Sequence, residues 1–405
     1  MENFKKLGII EPILQAIKEK SFEEPSEIQI KSIPLVLEGK DVVAGSATGS
    51  GKTLAFGAGL IQYCTRGKGI QALVLTPTRE LAEQITTNLV FFSKFKPLNV
   101  VQVYGGVSIN PQMNRLRTAD IVVGTPGRIL DHLERNTVNF SKVKMLVLDE
   151  ADRMFDMGFK DDVVKIISQC QKERQTLLFS ATINQDVIKI GQKYMKNPVK
   201  ISAETYVDPS KLTQVYYDLD NGIKFSLLVH LLKEEKKGTV MVFCNSRREV
   251  DVVAMNLKEQ GVDALAIHGG FTQERRNKVI EQFQTEEVHV LVCTDVAARG
   301  LDIPGVSHIY NYDIPKESKQ YIHRIGRTAR AGKEGKAINL LTNRDHDNFS
   351  RVLRDNDVNI TKEEKPYIKR VQLKIPPRTQ RRFGGGNRGG PRRGFSRGPK
   401  RRHHR

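Results

Sequence analysis

The chain has 405 residues, more than one hydrophobic core usually serves, so two domains and a tail are expected. Apolar residues make up 39%, enough for two cores, and a net charge of +19 favours a polyanionic partner. No apolar run reaches membrane-spanning length and the start, Met-Glu-Asn-Phe-Lys-Lys, lacks the apolar core of a signal peptide, so a soluble, cytoplasmic protein is expected.

Cys64, Cys170, Cys244 and Cys293 are widely spaced in apolar surroundings, with no CxxC or Cys/His cluster. They read as reduced core thiols, not zinc ligands or disulfides.

In chain order, Asp41 to Gly45 reads as a short strand. The next residues, Ser46-Ala47-Thr48-Gly49-Ser50-Gly51-Lys52-Thr53, turn sharply into an apolar helical stretch from Leu54 to Tyr63. Glycines in such a loop let backbone amides fold around phosphate oxygens, Lys52 reaches the β- and γ-phosphates, and the Thr53 hydroxyl can ligate Mg²⁺. The helix also offers its positive end to the anion. The usual pattern starts with Gly; here Ser46 stands in that place.

Strands are then expected at Ala72 to Thr76, Val100 to Tyr104, Asp120 to Gly124, Lys144 to Leu148 and Thr176 to Ser180. Helices are expected between them at Glu80 to Lys94, Pro111 to Arg117, Ile129 to Glu134, Asp161 to Gln169 and Gln185 to Tyr194. This alternation predicts an α/β fold with a parallel sheet covered on both faces. Asp149-Glu150-Ala151-Asp152 follow the apolar run Met145 to Leu148, so two carboxylates stand where a buried strand emerges. That placement suits the metal and water of a nucleotide hydrolase, since charges beside a core need compensation and carboxyl ends of strands bind ligands.

The rhythm breaks around Ala203 to Leu212 and restarts. Strands are expected at Val240 to Cys244, Ala264 to His268, Val288 to Thr294, Val306 to Tyr310 and Ala337 to Leu341, with helices at Arg247 to Gln260, Gln273 to Gln284 and Lys319 to Ile325. This half has the same plan but no phosphate loop. Arg324, Arg327 and Arg330 recur at three-residue spacing, which on a helix stacks guanidiniums on one face. Such a cluster wants an anion, and a γ-phosphate in transfer would gain on the order of 10³ to 10⁵ in rate from it. Ion pairing within the domain, or contact with an RNA backbone, would use the same arginines.

At this point the chain, over residues 1 to 365, resembles a DEAD-box RNA helicase of superfamily 2, with the motifs in family order. The resemblance implies two tandem RecA-like parallel-sheet domains, ATP and Mg²⁺ as cofactors, and RNA as partner. Phe22-x-x-Pro25-Ser26-x-Ile28-Gln29 resembles the adenine-recognising Q motif, with Phe4 where the family keeps an upstream aromatic. A Gln amide can donate to and accept from adenine. By the same resemblance Asp149 holds Mg²⁺ through water, with Thr53 as the hydroxyl ligand, and Glu150 orients or deprotonates the attacking water. Gly300 and Asp302 match the ribose ligand motif, and Arg327 and Arg330 the arginine fingers, while His323 and Arg324 would support an interdomain network.

Ser180-Ala181-Thr182 alone reads as a helix N-cap. In this order it matches the motif coupling hydrolysis to strand separation, with Asp152 and His323 as coupling partners. An RNA track is implied at Pro77, Thr78 and Arg79, at Gly105 and Gly106, at Thr125, Pro126, Gly127 and Arg128, and at Gln273, Arg276 and Thr294. Backbone amides, hydroxyls and arginines contact phosphate and sugar without reading bases, and 2′-hydroxyl contacts favour RNA. The family often has Gly where Lys20-Ser21 stand, Thr for Ser26 and a polar residue for Ala47.

The expected division is 1–204 for the first domain, 205–212 for a linker, 213–365 for the second domain and 366–405 for a tail, disordered from about 376. From Pro376 onward ten Arg, one Lys and seven Gly occur with no acid, so that segment carries +11 and residues 1 to 375 carry +8. With Phe383 and Phe395 it resembles RGG-type segments that bind RNA through charge and stacking. The expected activity is RNA-stimulated ATP hydrolysis with local, largely sequence-independent unwinding by a monomer. An RNA-binding or annealing chaperone relying on the basic tail is the alternative, and a DNA translocase of the same superfamily a second. Protein partners and the physiological RNA are not legible.

Overall fold

The computed structural model describes residues 1–46, 49–202, 211–234, 238–298, 306–329, 334–356 and 358–375. The first half opens with three helices, α1 (Glu2–Lys6), α2 (Glu11–Glu19) and α3 (Glu27–Leu37), and reaches its first strand, β1, at Val42–Gly45. Then follow α4 (Lys52–Tyr63), β2 (Ala72–Leu75), α5 (Arg79–Phe92), β3 (Val100–Val103), α6 (Asn110–Leu116), β4 (Ile121–Gly124) and α7 (Pro126–Glu134). It closes with β5 (Met145–Leu148), α8 (Ala151–Asp156), α9 (Lys160–Ser168), β6 (Gln175–Ser180), α10 (Gln185–Tyr194) and β7 (Val199–Ser202).

The second half runs β8 (Leu212–Asp218), α11 (Lys224–Glu234), β9 (Val240–Phe243), α12 (Arg247–Glu259), β10 (Ala264–Ile267), α13 (Gln273–Gln284), β11 (Val290–Cys293) and α14 (Asp295–Ala298). It ends with β12 (His308–Asn311), α15 (Ser318–Ile325), β13 (Gly335–Leu341), α16 (His346–Asp355) and the short β14 (Thr361–Lys362). The two halves have matching sheets of seven strands, ordered β3-β4-β2-β5-β6-β1-β7 and β10-β11-β9-β12-β13-β8-β14. All the strand pairs are parallel, as the strand-helix alternation requires.

Buried strands alternate faces, and each face meets its own core. In the first half Val42, Val74, Val123 and Val147 join one cluster with α3, α4 and α5, whereas Val43, Leu73, Val122 and Leu146 join another with α7 to α10. The second half repeats this with Val240 and Val292 on one side, Met241 and Leu291 on the other. Side chains close the helix starts: Thr78, Asn184, Ser246 and Thr272 each accept a backbone amide one turn on, and Ser26 forms a capping box with Gln29.

The expected strands are all present. Those missed are β7, β8 and β14, and β8 starts at Leu212, inside the stretch expected as linker. Beyond residue 365 the chain still packs Ile368, Val371 and Leu373 against the second half's core. The four cysteines are buried and free, and burial pushes the Cys64 and Cys170 thiols up, to about 12 and about 11. No described helix is long and apolar enough to cross a membrane. The tail expected from Pro376 lies outside the described residues.

Candidate active site

The strand order sorts the motifs of the first half. β5, β6 and β1 are adjacent, so the loops after them bring Asp149 and Glu150, Ser180 to Thr182 and the phosphate loop together. β3, β4 and β2 form the other side of the sheet, and their loops carry Gly105-Gly106, Thr125 to Arg128 and Pro77 to Arg79. One sheet thus presents two neighbouring sites along one edge.

In the phosphate loop, Gly49 and Gly51 take left-handed backbone conformations at φ 84° and 93°. A side chain on Gly51 would also collide with Gln29. Ser46 is accommodated where the common pattern has Gly: its amide donates to Ser180 O at 2.8 Å and its hydroxyl pairs with that of Ser50. Lys52, only 6% exposed, lies 3.4 Å from Ser46 O and 3.6 Å from Asp149 Oδ1, while Thr53 is half-buried one residue into α4. Ala47 and Thr48 lie outside the described residues.

The Q-motif side chains reach this loop directly. Ser26 Oγ donates to Ser50 O at 2.7 Å, and Gln29 Nε2 donates to Gly51 O at 3.1 Å while its Oε1 accepts from Ser26 N at 3.0 Å. The amide's orientation is therefore set by protein partners at both ends. Phe22 is 39% exposed, but Phe4 is fully buried in the first core. Phe4, expected among the nucleotide contacts, is instead an anchor for α1, because an apolar ring of that size gains most by leaving water.

Asp149 and Glu150 are both buried. Burial pushes the Asp149 carboxyl up to about 6 despite Lys52 beside it. Burial also raises Glu150, the largest single influence, yet the combined pull of Arg153, Lys52 and Arg327 overrides it and holds the carboxyl at about 2. Glu150 sits at φ 50°, ψ 51° as the N-cap of α8, and Arg153, one turn along that helix, ion-pairs with it. Arg153 went unnoticed in the sequence, although a three-residue offset at a helix start could have flagged it.

Ser180, Thr182 and Asp152 are in direct contact. Asp152 Oδ2 accepts from both the amide and the hydroxyl of Thr182 at 2.8 Å, and Ser180 Oγ accepts from Asp152 N at 3.3 Å while donating to Thr182 O at 2.7 Å. His323 lies half-buried on the last turn of α15.

Along the other loops, Thr78 caps α5, and the Arg79 guanidinium lies where a side chain on Gly106, at φ 82°, would stand. Thr125 and Pro126 open α7, Gly127 is exposed, and Arg128 Nη2 donates to Val107 O at 3.1 Å, tying two loops together. In the second half Thr294 directly follows β11 and precedes Asp295, Gln273 starts α13 and donates to Asn277, and Arg276 ion-pairs with Glu80 of the first half at 2.5 Å. Arg276, expected on the RNA track, thus bridges the halves in this structure.

The arginine cluster divides. Arg324 is 1% exposed and spends all five N–H donors inside the second half, on Asp295 (2.6 and 2.7 Å), Asn311, Asp313 O and Asn245. It is a structural hub of that half and does not support an interdomain network as expected. Arg327 is buried and its charge is felt at Glu150. Arg330, Gly300 and Asp302 lie outside the described residues.

The donors fit Mg²⁺ as this kind of site holds it. One buried carboxylate, Asp149, and one hydroxyl, Thr53, stand beside a phosphate loop, and Mg²⁺ usually takes one or two protein ligands and completes its shell from phosphates and water. Consistent with that, no group of three or more His, Cys, Asp or Glu among the described residues could cage a metal alone.

A phosphate loop and paired carboxylates in one parallel-sheet half, with a buried arginine supplied by the second half, define a two-domain nucleotide hydrolase. Comparison with known proteins narrows this. The DEAD/DEAH box helicase family matches residues 26–190, and the helicase conserved C-terminal domain matches residues 223–332. The chain is 42% identical over 353 residues to the ATP-dependent RNA helicase CshA of Limosilactobacillus reuteri, covering 86% of this chain and 71% of that one. Among solved structures, Dbp5 of S. cerevisiae bound to RNA and ADP BeF3 is similar at a TM-score of 0.81 with 31% identity, covering 90% of this chain and 96% of that one. A DEAD box protein from Methanococcus jannaschii is similar at 0.56 with 41% identity, over 89% and 99%. The chain belongs to the DEAD-box RNA helicase family, and it is an enzyme, an ATP-dependent RNA helicase.

Proposed function

We propose that this helicase hydrolyses ATP in response to RNA by bringing its two halves together, and that closure opens short duplexes locally without reading sequence. The observation that carries the proposal is the division of the charged groups between the halves, Lys52, Asp149 and Glu150 buried in the first and Arg327 buried in the second, with Arg276 of the second ion-paired to Glu80 of the first at 2.5 Å. The arrangement is also more like that of Dbp5 bound to RNA and ADP BeF3, at a TM-score of 0.81, than that of the Methanococcus jannaschii protein, at 0.56.

In this reading Lys52 and the amides of Gly49 to Thr53 bind the phosphates, and the Gln29 amide with the exposed Phe22 ring receives the base. Asp149, through water, and Thr53 would hold Mg²⁺, which supplies charge neutralisation at the phosphates when bound. Glu150 orients the attacking water or takes its proton, and Arg327 with Arg330 stabilises charge developing on the transferred group. Asp152 links the carboxylate loop to Ser180 and Thr182, so a shift in one moves the other. Arg79, Gly106, Thr125 and Arg128 contact the RNA backbone, and Gln273 and Thr294 continue that track on the second half.

The test is turnover with and without RNA duplexes of graded length, for the parent chain and for Lys52→Ala, Glu150→Gln and Arg327→Ala. RNA should raise turnover, each variant should lose it, and short duplexes should open faster than long ones. Undiminished turnover in any variant contradicts its role. RNA annealing that survives all three substitutions, with no RNA-stimulated hydrolysis in the parent, would favour the chaperone reading.

A further inference from the structure

At the opposite end of the first sheet, where the strands begin, three loops meet that the proposed mechanism does not use. Residues 66–71 lead into β2, 115–120 into β4 and 137–144 into β5, and these strands are neighbours in the order β4-β2-β5. Between the loops lies a cleft of about 270 Å³ lined by Gly69, Arg117, Thr137, Asn139, Ser141 and Lys142, among others. Exposed cations flank it on the same loops, at Arg66, Lys68, Arg115 and Lys144. Two of the nearby acids, Asp120 and Asp131, are committed elsewhere, while Glu134 stands exposed at the end of α7. The Asp120 carboxylate is buried and accepts the backbone amides of Gly67 at 2.7 Å and Asn99 at 2.9 Å, and Asp131 pairs with Arg128 and Arg135.

We propose that this cleft is a second RNA-backbone site, with Arg117 and Lys142 each holding a phosphate of the strand that has left the main track. The proposal rests on the RNA-binding reading above. The Ser141 hydroxyl and the Asn139 amide between two exposed cations suit a phosphodiester, the Thr137 hydroxyl being spent on His132 O, and with no base-reading element the contact is sequence-independent. RNA is favoured over an acidic peptide because the first half already presents an RNA track on the opposite edge, and a bound strand can continue around the domain. The four residues of β2 span about 13 Å, so the two sites are separated by more than that and only a longer RNA reaches both.

The test measures binding of a single-stranded RNA of about six nucleotides and one of about thirty, bracketing common site sizes. The full chain is compared with an Arg117→Gln, Lys142→Gln double variant. Loss of two phosphate contacts should weaken long-RNA binding roughly tenfold at 0.15 M salt and lower the logarithmic salt slope by about 1.4. Hexamer binding and basal ATP hydrolysis should stay unchanged. A Lys68→Gln, Lys144→Gln variant should weaken the long RNA in the same direction by less. Unchanged long-RNA binding overturns the proposal, as does equal weakening for both lengths, which would place the effect on the main track or the fold. Failure of the parent chain to bind the hexamer would instead strike at the RNA track itself. Lost capture of a polyglutamate peptide with RNA binding intact would assign the cleft to an acidic protein partner and overturn the RNA reading.

Discussion

In the first half β1 lies between β6 and β7, and in the second β8 lies between β13 and β14, the same place in the same sheet. Past β1 the chain makes a phosphate loop; past β8 it runs Leu219-Asp220-Asn221-Gly222-Ile223 without one, and the first residue of α11, Lys224, is buried and ion-paired with Asp313 at 3.3 Å and Asp345 at 3.0 Å. The two halves also treat buried charge differently. Around β5, Lys52 stands 3.6 Å from Asp149, beyond hydrogen-bond length, and the buried Arg153 Nε has no hydrogen-bond partner. Around β11 and β12, Arg324 satisfies every donor. Incomplete pairing is expensive in a core unless a ligand completes it, so the first half is built for an occupant and the second for rigidity. In the proposed mechanism the second half acts by presenting Arg327 from a fixed frame.

The largest effect should come from that presentation. Arg327→Ala should lower RNA-stimulated turnover by on the order of 10³ or more, with the fold and the affinity for RNA largely kept. A loss below tenfold in steady-state kinetics would mean that the second half acts as a clamp only.

Next in size is the contrast in stability. Arg324→Met leaves the Asp295 carboxylate and two asparagines without their shared donor, and should cost the second half about 3–5 kcal/mol. Lys52→Met should cost less, about 1–3 kcal/mol, because Asp149, already raised to about 6, can take a proton and neutralise itself. Urea unfolding of both variants orders them; the reverse ranking would break the comparison.

Much of this was legible beforehand. Strands such as Ala72–Leu75 and Val290–Cys293 are unbroken apolar runs, and the phosphate loop and Asp149-Glu150 stand out because glycine and charge interrupt such runs. β8 was hidden because its burial alternates and it follows polar residues, and β14 has two exposed residues. What could not be read was which arginine faces where: Arg324 and Arg327 are three residues apart, yet one is enclosed by partners from β9, β11 and β12 and the other is felt at Glu150. Those partners lie 11 to 79 residues away in sequence. Phe4 failed for the same reason, since position within a motif does not tell whether a ring faces a ligand or a core.

A smaller effect sharpens the view of the second half through pH. Burial, then a hydrogen bond to Asp313, pushes the Glu249 carboxyl up to about 8. A carboxyl raised on folding contributes stability that is complete below its unfolded value near 4.5 and is lost as pH rises through about 8. Stability of the second half should therefore decline between about pH 5 and 8, and Glu249→Gln should flatten that decline. Denaturant midpoints for both chains across this range check it, and parallel curves would remove Glu249 from the account.

The smallest effect lies where the Q-motif segment leaves α2. Ser21 has φ 55°, a left-handed conformation in which a side chain costs about 1 kcal/mol and glycine nearly nothing. This is the position where the family often has Gly. Its neighbours hold the strained turn in place: Lys20 Nζ lies over the rings of Phe91 and Phe92 at 5.1 and 5.5 Å and donates to Asn88 at 2.9 Å. Ser21→Gly should relieve the backbone strain but loosen the unfolded chain, leaving a net gain of no more than about 0.5–1 kcal/mol, confined to the first half. Thermal unfolding of the two chains decides it, and a loss of stability would mean that the serine, through its restriction of the unfolded state, serves the turn better than glycine does.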